Sequence, residues 1–169
     1  MALQSKFSLR LAQAEDCDAL FNLIKALAEY EKLPNAVSGN VNLLRQHLFA
    51  EPQYIEAMVA ESLGKIVGFA LFFHNYSTFL TKPGIYLEDL FVLPDYRRQG
   101  IGKALLTKLA QIALERDCGR LEWSVLDWNE PAQKFYRAMG ASILDDWRIC
   151  RVTGEKLTKL ANNHLSVNS

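Results

Sequence analysis

The chain has 169 residues, half of them hydrophobic, with nineteen Lys and Arg against nineteen Asp and Glu. This length and composition predict one domain over residues 1–169 with an ample core, and they exclude a disordered chain. The even charge balance removes the whole-chain footprint of a nucleic-acid or anionic-membrane binder, so any charge-guided recognition has to be local.

Cys17, Cys118 and Cys150 are odd in number and form no C-x-x-C pair, which argues against a disulfide framework or a thiolate metal site. The opening MALQSKFSLR has no apolar h-region. The longest apolar run, Ile66 to Phe73, is far shorter than the roughly 20 residues of a spanning helix. A soluble protein of the cytoplasm is expected.

Phe7 to Leu11 alternates like a strand. From Glu15 to Lys32 the apolar residues Leu20, Leu23, Ile24 and Leu27 recur at helical spacing, with Glu15 and Asp16 at the positive end of the dipole. A weaker helical pattern over Val41 to Phe49 has Ser38 or Asn40 as its cap. Tyr54 to Ala60 and Lys65 to Phe73 are β-rich runs around the turn-like ESLGK and predict an antiparallel hairpin. After the loop STFLTKPG a third strand is expected from Ile85 to Leu93.

Gly100 to Arg116 carries Ile101, Leu105, Leu109 and Ile112 on one face, with Gly119 as the expected C-cap. Leu121, Trp123 and Val125 alternate as a strand, and Pro131 opens a short helix to Met139 that Gly140 stops. Two further strands are expected, Ala141 to Leu144 and Trp147 to Thr153. The order predicts an α/β fold, a mixed and mostly antiparallel sheet with helices on both faces.

The segment LFVLPDYRRQGIG joins the third strand to the Gly100 helix. A dinucleotide fingerprint would need glycine at Leu105, and a P-loop would need glycine at Arg97 and Ser or Thr at Ala104. The physics shared by both motifs remains: a strand, a glycine turn and a helix N-terminus present unpaired N–H groups to an anion. Arg97 and Arg98 stand beside them. A tight helix cap is the plain alternative.

Arg97-Arg98-Gln99-Gly100-Ile101-Gly102 fits the [QR]-x-x-G-x-[GA] pattern that winds around the pyrophosphate of coenzyme A in GNAT N-acetyltransferases. YLEDLFVLPDYRRQGIG, WNEPAQKFYRAMGA and LIKALAEYEKL together resemble the diamine (spermidine/spermine) acetyltransferase-like branch over nearly the whole chain. The resemblance implies a splayed strand pair whose backbone at Leu90, Phe91 and Val92 pairs with the pantetheine arm. It implies cofactor contacts from Arg97, Arg98, Gln99, Gly100, Ile101, Gly102, Lys103 and Asn129, with acetyl-CoA as co-substrate.

Tyr136 matches the family tyrosine near the sulfur, where a phenol of ordinary pKa about 10 can protonate the departing thiolate; a core aromatic is the other reading. The attacking alkylammonium, of ordinary pKa about 10.4, must first lose a proton. Adjacent strand residues point to opposite faces, so one of Glu88 and Asp89 looks into the site; the resemblance implies that it is Glu88, at the family position that contacts amine substrate, as amine anchor and water-mediated base. Asp89 is either a second carboxylate of the site or an edge charge. Tyr30 and Glu31 match a substrate-binding pair, and Trp147 lines the amine tunnel or a core. Phe79 stands where relatives carry a tryptophan.

His47, His74 and His164 have no metal-ligand spacing, and no metal is expected. The implied reaction is direct transfer of acetyl to a primary amine of a small diamine, polyamine or thialysine/lysine-like substrate in a ternary complex. A homodimer is implied by the resemblance alone. The rivals are a peptide or protein N-acetyltransferase, and a non-catalytic acyl-CoA sensor.

Overall fold

The computed structural model describes residues 7–162. Contacts divide the chain into two compact units, Met1–Leu126 and Asp127–Ser169. The first unit holds β1 (Ser8–Leu11), α1 (Cys17–Tyr30), α2 (Val41–Phe49), β2 (Glu56–Ser62), β3 (Lys65–Ser77), β4 (Lys82–Val92), α3 (Ile101–Glu115) and β5 (Leu121–Glu122). Its sheet runs β1-β2-β3-β4-β5, antiparallel except for the parallel β4–β5 pair. The expected mixed, mostly antiparallel sheet is present.

Both faces of the central strands are buried, which is why Ile66 to Phe73 reads as a continuous apolar run and does not alternate. Ala57, Val59, Phe69, Leu71 and Phe91 pack with Cys17, Leu20, Leu23 and Leu27 of α1 and with Leu48 of α2. The opposite face meets α3: a Cβ built on Gly68 would lie 3.5 Å from Ile101 Cγ2. The buried stripe of α3, Ile101, Leu105, Leu109 and Ile112, is the one its periodicity predicts.

Local chemistry fixes the helix ends. Asp16 accepts the Gln13 N–H at 2.7 Å and pairs with Arg10 at 2.6 Å, while Arg10 also reaches Glu61 at 3.2 Å. This joins the start of α1 to β1 and β2, and the Arg10 guanidinium holds the Asp16 carboxyl below its ordinary range. Asn40, rather than Ser38, caps α2 by accepting the Leu43 N–H at 3.0 Å.

Gly119 does not cap α3. The left-handed residue is Asp117 (φ 52°), and Cys118 N–H donates to Ala113 O at 2.8 Å while Asp117 N–H donates to Leu114 O at 3.1 Å, a Schellman closure. Gly119 is instead a packing position, where a Cβ would meet Leu80 Cδ1 at 2.8 Å.

The β3–β4 hairpin is longer than its sequence suggests. Pairing continues to Tyr76↔Pro83 and Ser77↔Lys82, so most of the expected loop STFLTKPG shrinks to a turn. Gly84 is required there on steric grounds, because a Cβ would overlap Asn75 Oδ1 and lie 3.3 Å from the Arg120 carbonyl. Asn75 cannot swing away without losing its 2.8 Å bond to Glu122 Oε1. Gly84→Ala is therefore expected to cost about 1–3 kcal/mol, read as a lowered melting temperature. Gly84→Ala combined with Asn75→Ala should recover part of that loss; equal destabilisation with and without Asn75 would show that the clash is elsewhere.

The second unit holds α4 (Glu130–Ala138) and α5 (Gly154–Ala161). The strands expected at Ala141–Leu144 and Trp147–Thr153 are absent among the described residues, and β5 stops at Glu122 instead of continuing to Val125. Alternation is present in these segments, but Leu144, Trp147 and Ile149 are exposed, so no buried face rewards a strand register there. No helix of the described residues is long and apolar enough to cross a membrane.

Candidate active site

One edge of β4 pairs with β3 down to Gly68↔Val92, whereas the other pairs with β5 only at Ile85↔Leu121 and Tyr86↔Glu122. The two strands therefore part after Tyr86, and Leu90, Phe91 and Val92 lie in the splayed part. A bulge decides which backbone groups the open edge offers. Asp89 pairs with Leu71 and Leu87 with Phe72, leaving Glu88 as the extra residue.

Before the bulge, Ile85 N–H reaches across to Arg120 O at 3.0 Å; after it, Leu93 N–H bonds Val67 O on β3 at 2.9 Å. Alternation then turns the backbone of Asp89 and Phe91 toward β3 and that of Leu90 and Val92 toward the open edge. An extended ligand could add there as a strand.

The chain next turns through Pro94–Tyr96, and Arg98 (φ 59°) and Gly100 (φ 86°) both adopt left-handed conformations before α3 begins. Gly100 supplies this backbone without strain. The first N–H groups of α3, at Ile101, Gly102 and Lys103, have no acceptor within the helix, and no acidic residue occupies the first turn. Arg98 and Lys103 are exposed beside them, and the Gln99 side chain donates to Asp95 O at 3.3 Å. Ile101 itself is core, so only its backbone is available to an anion. This donor set fits a pyrophosphate.

Arg97 differs from its neighbour. Its Nε–H donates to Val92 O at 2.9 Å, and its guanidinium carbon lies 4.7 Å from the Tyr30 ring centroid and 5.5 Å from that of Phe91. Sequence alone treats Arg97 and Arg98 as equivalent anion ligands; the structure sends one inward and one to solvent.

Tyr30 and Glu31 close α1. Glu31 N–H bonds Leu27 O at 2.9 Å, Leu33 N–H bonds Ala28 O at 2.8 Å, and Lys32 takes the left-handed position. The Tyr30 and Phe91 rings meet at 6.5 Å. Asp89 shares the Phe91 face of β4 and is half-buried. Burial, then the charges of Glu88 and Glu31, push its carboxyl up to about 7. Burial also raises Glu31. Glu88 is exposed at the bulge. A carboxyl that ionises near neutrality can accept a proton, and three clustered carboxylates favour a cationic ligand.

Three predicted residues belong to the second unit. Asn129 is buried and caps α4, its Oδ1 accepting the Ala132 N–H at 3.3 Å. Tyr136 is half-buried, with its ring 5.3 Å from that of Phe135. Trp147 is exposed in a turn, its N–H bonding Leu144 O at 3.3 Å. In the first unit Phe79 is fully exposed at the β3–β4 turn.

No group of three or more His, Cys, Asp or Glu among the described residues is placed to hold a metal ion. His47 meets Tyr54 edge-on at 5.2 Å. The His74 ring nitrogens sit 3.1 Å from Gly84 O and 2.9 Å from Arg116. His164 lies outside the described residues.

Residues 18–141 match the acetyltransferase (GNAT) family. Thialysine N-epsilon-acetyltransferase of Bos taurus is 39% identical over 164 residues, which cover 90% of this chain and 96% of that protein. Among solved structures, an integron cassette protein from V. cholerae is 28% identical with a TM-score of 0.78, covering 93% of this chain and 98% of the other. AAC(6')-Iy, solved with a CoA bisubstrate analogue, has the same fold at 20% identity and a TM-score of 0.72, covering 88% and 99%. The family match over most of the chain and the 39% identity to a relative covered nearly end to end show that the chain belongs to the GNAT family of N-acetyltransferases.

Proposed function

We propose that this enzyme transfers acetyl from acetyl-CoA to a primary amine of a small cationic substrate, a diamine, polyamine or thialysine/lysine-like molecule, by direct transfer in a ternary complex. One observation carries the reading: a single strand presents an open backbone edge at Leu90 and the Val92 N–H and, at Asp89 beside it, a carboxyl that ionises near neutrality. The thialysine-acetylating relative supports the substrate class.

The thioester supplies the acetyl group. Leu90 and Val92 hold the pantetheine arm through backbone hydrogen bonds, while the α3 N-terminus, Arg98 and Lys103 hold the pyrophosphate. Asn129 reaches the cofactor amides. Tyr136 gives its phenolic proton to the departing sulfur. Asp89 takes the proton from the amine, a role that its burial assigns to it ahead of Glu88; Glu88 and Glu31 hold the distal charge, and Tyr30 and Trp147 line the substrate. Removing the amine's proton at pH 7 costs about 4 kcal/mol for three pK units, and a neighbouring base of pKa about 7 is matched to that task.

We read residues 1–169 as one catalytic domain, because the family match crosses the boundary between the two units. Free Cys17, Cys118 and Cys150 and balanced charge support a cytoplasmic enzyme without nucleic-acid or membrane partners. Family likeness supports a homodimer.

Anion binding should depend on Arg98 and Lys103. The double change to alanine is expected to raise the KM for acetyl-CoA about 10-fold and to flatten its salt dependence, with the amine KM unchanged. An unaltered acetyl-CoA KM would leave the turn as a helix cap. The function is tested by thiol release from acetyl-CoA with thialysine, lysine, putrescine, spermidine and short peptides. Saturable turnover of small cationic amines is expected; turnover of peptides alone, or acetyl-CoA binding with no acceptor, would overturn the reading.

A further inference from the structure

We infer that Arg97 positions the amine site and does not bind cofactor phosphate, an inference that rests on the reading above for its kinetic part. Its Nε–H is already committed to Val92 O at 2.9 Å, and its guanidinium carbon lies over the Tyr30 ring at 4.7 Å and the Phe91 ring at 5.5 Å. Its charge is therefore turned toward the end of α1 and away from solvent beside the glycine turn, where Arg98 and Lys103 remain exposed.

Val92 O points to the open edge of β4, because Leu93 N–H takes the opposite edge in its bond to Val67 O. Arg97 thus ends the open edge. The same side chain covers the ring of Tyr30, the last residue of α1, and Tyr30 is followed by Glu31, one of the charges felt by Asp89. One residue consequently ties the strand that offers backbone to an acyl donor to the helix end that carries the acidic corner. An arginine can donate from Nε while its guanidinium lies over a ring, whereas a single ammonium does one or the other.

The test compares wild type with Arg97→Met, Arg97→Lys, Tyr30→Ala, the Arg97→Met/Tyr30→Ala double variant, and Arg98→Ala as reference. Both Arg97 variants are expected to raise the amine KM about 10-fold and leave acetyl-CoA affinity by calorimetry within about twofold. Arg98→Ala should show the reverse split. The double variant should fall short of the sum of the two single effects, since each change breaks the Arg97–Tyr30 contact while Arg97→Met also removes the bond to Val92 O. A weakened acetyl-CoA affinity with an unchanged amine KM, or additive effects in the double variant, would overturn the inference.

A second readout does not need an amine. Arg97→Met and Arg97→Lys should each speed hydrogen exchange at the Glu31 and Leu33 amides that close α1, with exchange in the middle of α3 unchanged as a check on folding. Unaltered exchange at the α1 end would overturn the link to Tyr30, whatever acceptor the enzyme uses. Failure of wild type to acetylate any small amine would instead count against the proposed function.

Discussion

Asp89→Asn is expected to stabilise the enzyme at pH 8 and to lower its turnover by about 10²-fold or more. The folded state holds the Asp89 carboxyl at about 7 through burial and the charges of Glu88 and Glu31, whereas an unfolded chain ionises it near its ordinary value of about 3.9. Between these values the folded protein binds a proton that the unfolded chain has released. Stability from this group therefore falls as pH rises from about 4 to about 7, and the penalty is complete above that.

Three pK units correspond to about 4 kcal/mol, and screening by water at a half-buried side chain leaves about 1–2 kcal/mol. Asparagine keeps the shape and removes the charge. Its melting temperature should exceed wild type at pH 8 by several degrees, with the gain gone at pH 4. In wild type kcat/KM should rise with pH through about 7, and the variant should lose that limb. No gain in stability at pH 8 would show that the carboxyl is solvated. Unchanged turnover would return the proton to Glu88 and water.

Tyr136→Phe is expected to lower kcat about 10²-fold while acetyl-CoA affinity and melting temperature stay near wild type. The change removes one hydroxyl and keeps the ring that meets Phe135 at 5.3 Å, so packing within α4 is preserved. A thiolate leaving without a proton donor is the disfavoured step, and the loss should shrink with an acetyl thioester whose thiol is more acidic. Steady-state rates and calorimetry on the purified variant measure both. A wild-type rate would assign the proton to water or another group, and a lost acetyl-CoA affinity would make Tyr136 a binding residue.

Much of the first unit is legible because local and global preferences agree there. α3 repeats its apolar residues at helical spacing, Asn40 sits where a cap is needed, and the turn at Arg97–Gly102 carries both its glycines and its charges. The bulge at Glu88 is invisible to a period of two, yet it decides the chemistry of the acidic pair. A regular strand gives no reason to bury Asp89 rather than Glu88; the extra residue does. Arg97 and Arg98 are likewise identical as letters, yet Arg97 bonds Val92 O while Arg98, in a left-handed conformation, is exposed.

Turn-forming letters mislead in the β3–β4 hairpin. Pro83 lacks an N–H but its carbonyl still accepts the Gly119 N–H at 2.8 Å, and Gly84 is demanded by Asn75 and not by a loop. In the second unit alternation around Trp147 suggests strands because pattern alone does not say whether a partner strand exists. α5 forms where the sequence reading expects no helix, although Leu157 and Leu160 stand at helical spacing and Thr153 occupies the N-cap position without a side-chain bond.

A crystal structure with an amine joined to coenzyme A as a bisubstrate conjugate tests the central claim most directly. The account expects the pantetheine backbone to hydrogen-bond Leu90 and Val92 along the open edge of β4, the pyrophosphate to sit on the α3 N-terminus, and the amine nitrogen to lie within hydrogen-bond reach of Asp89 or a water bound to it. An amine directed away from Asp89 and Glu31, or a pantetheine that leaves the β4 edge unpaired, would contradict it.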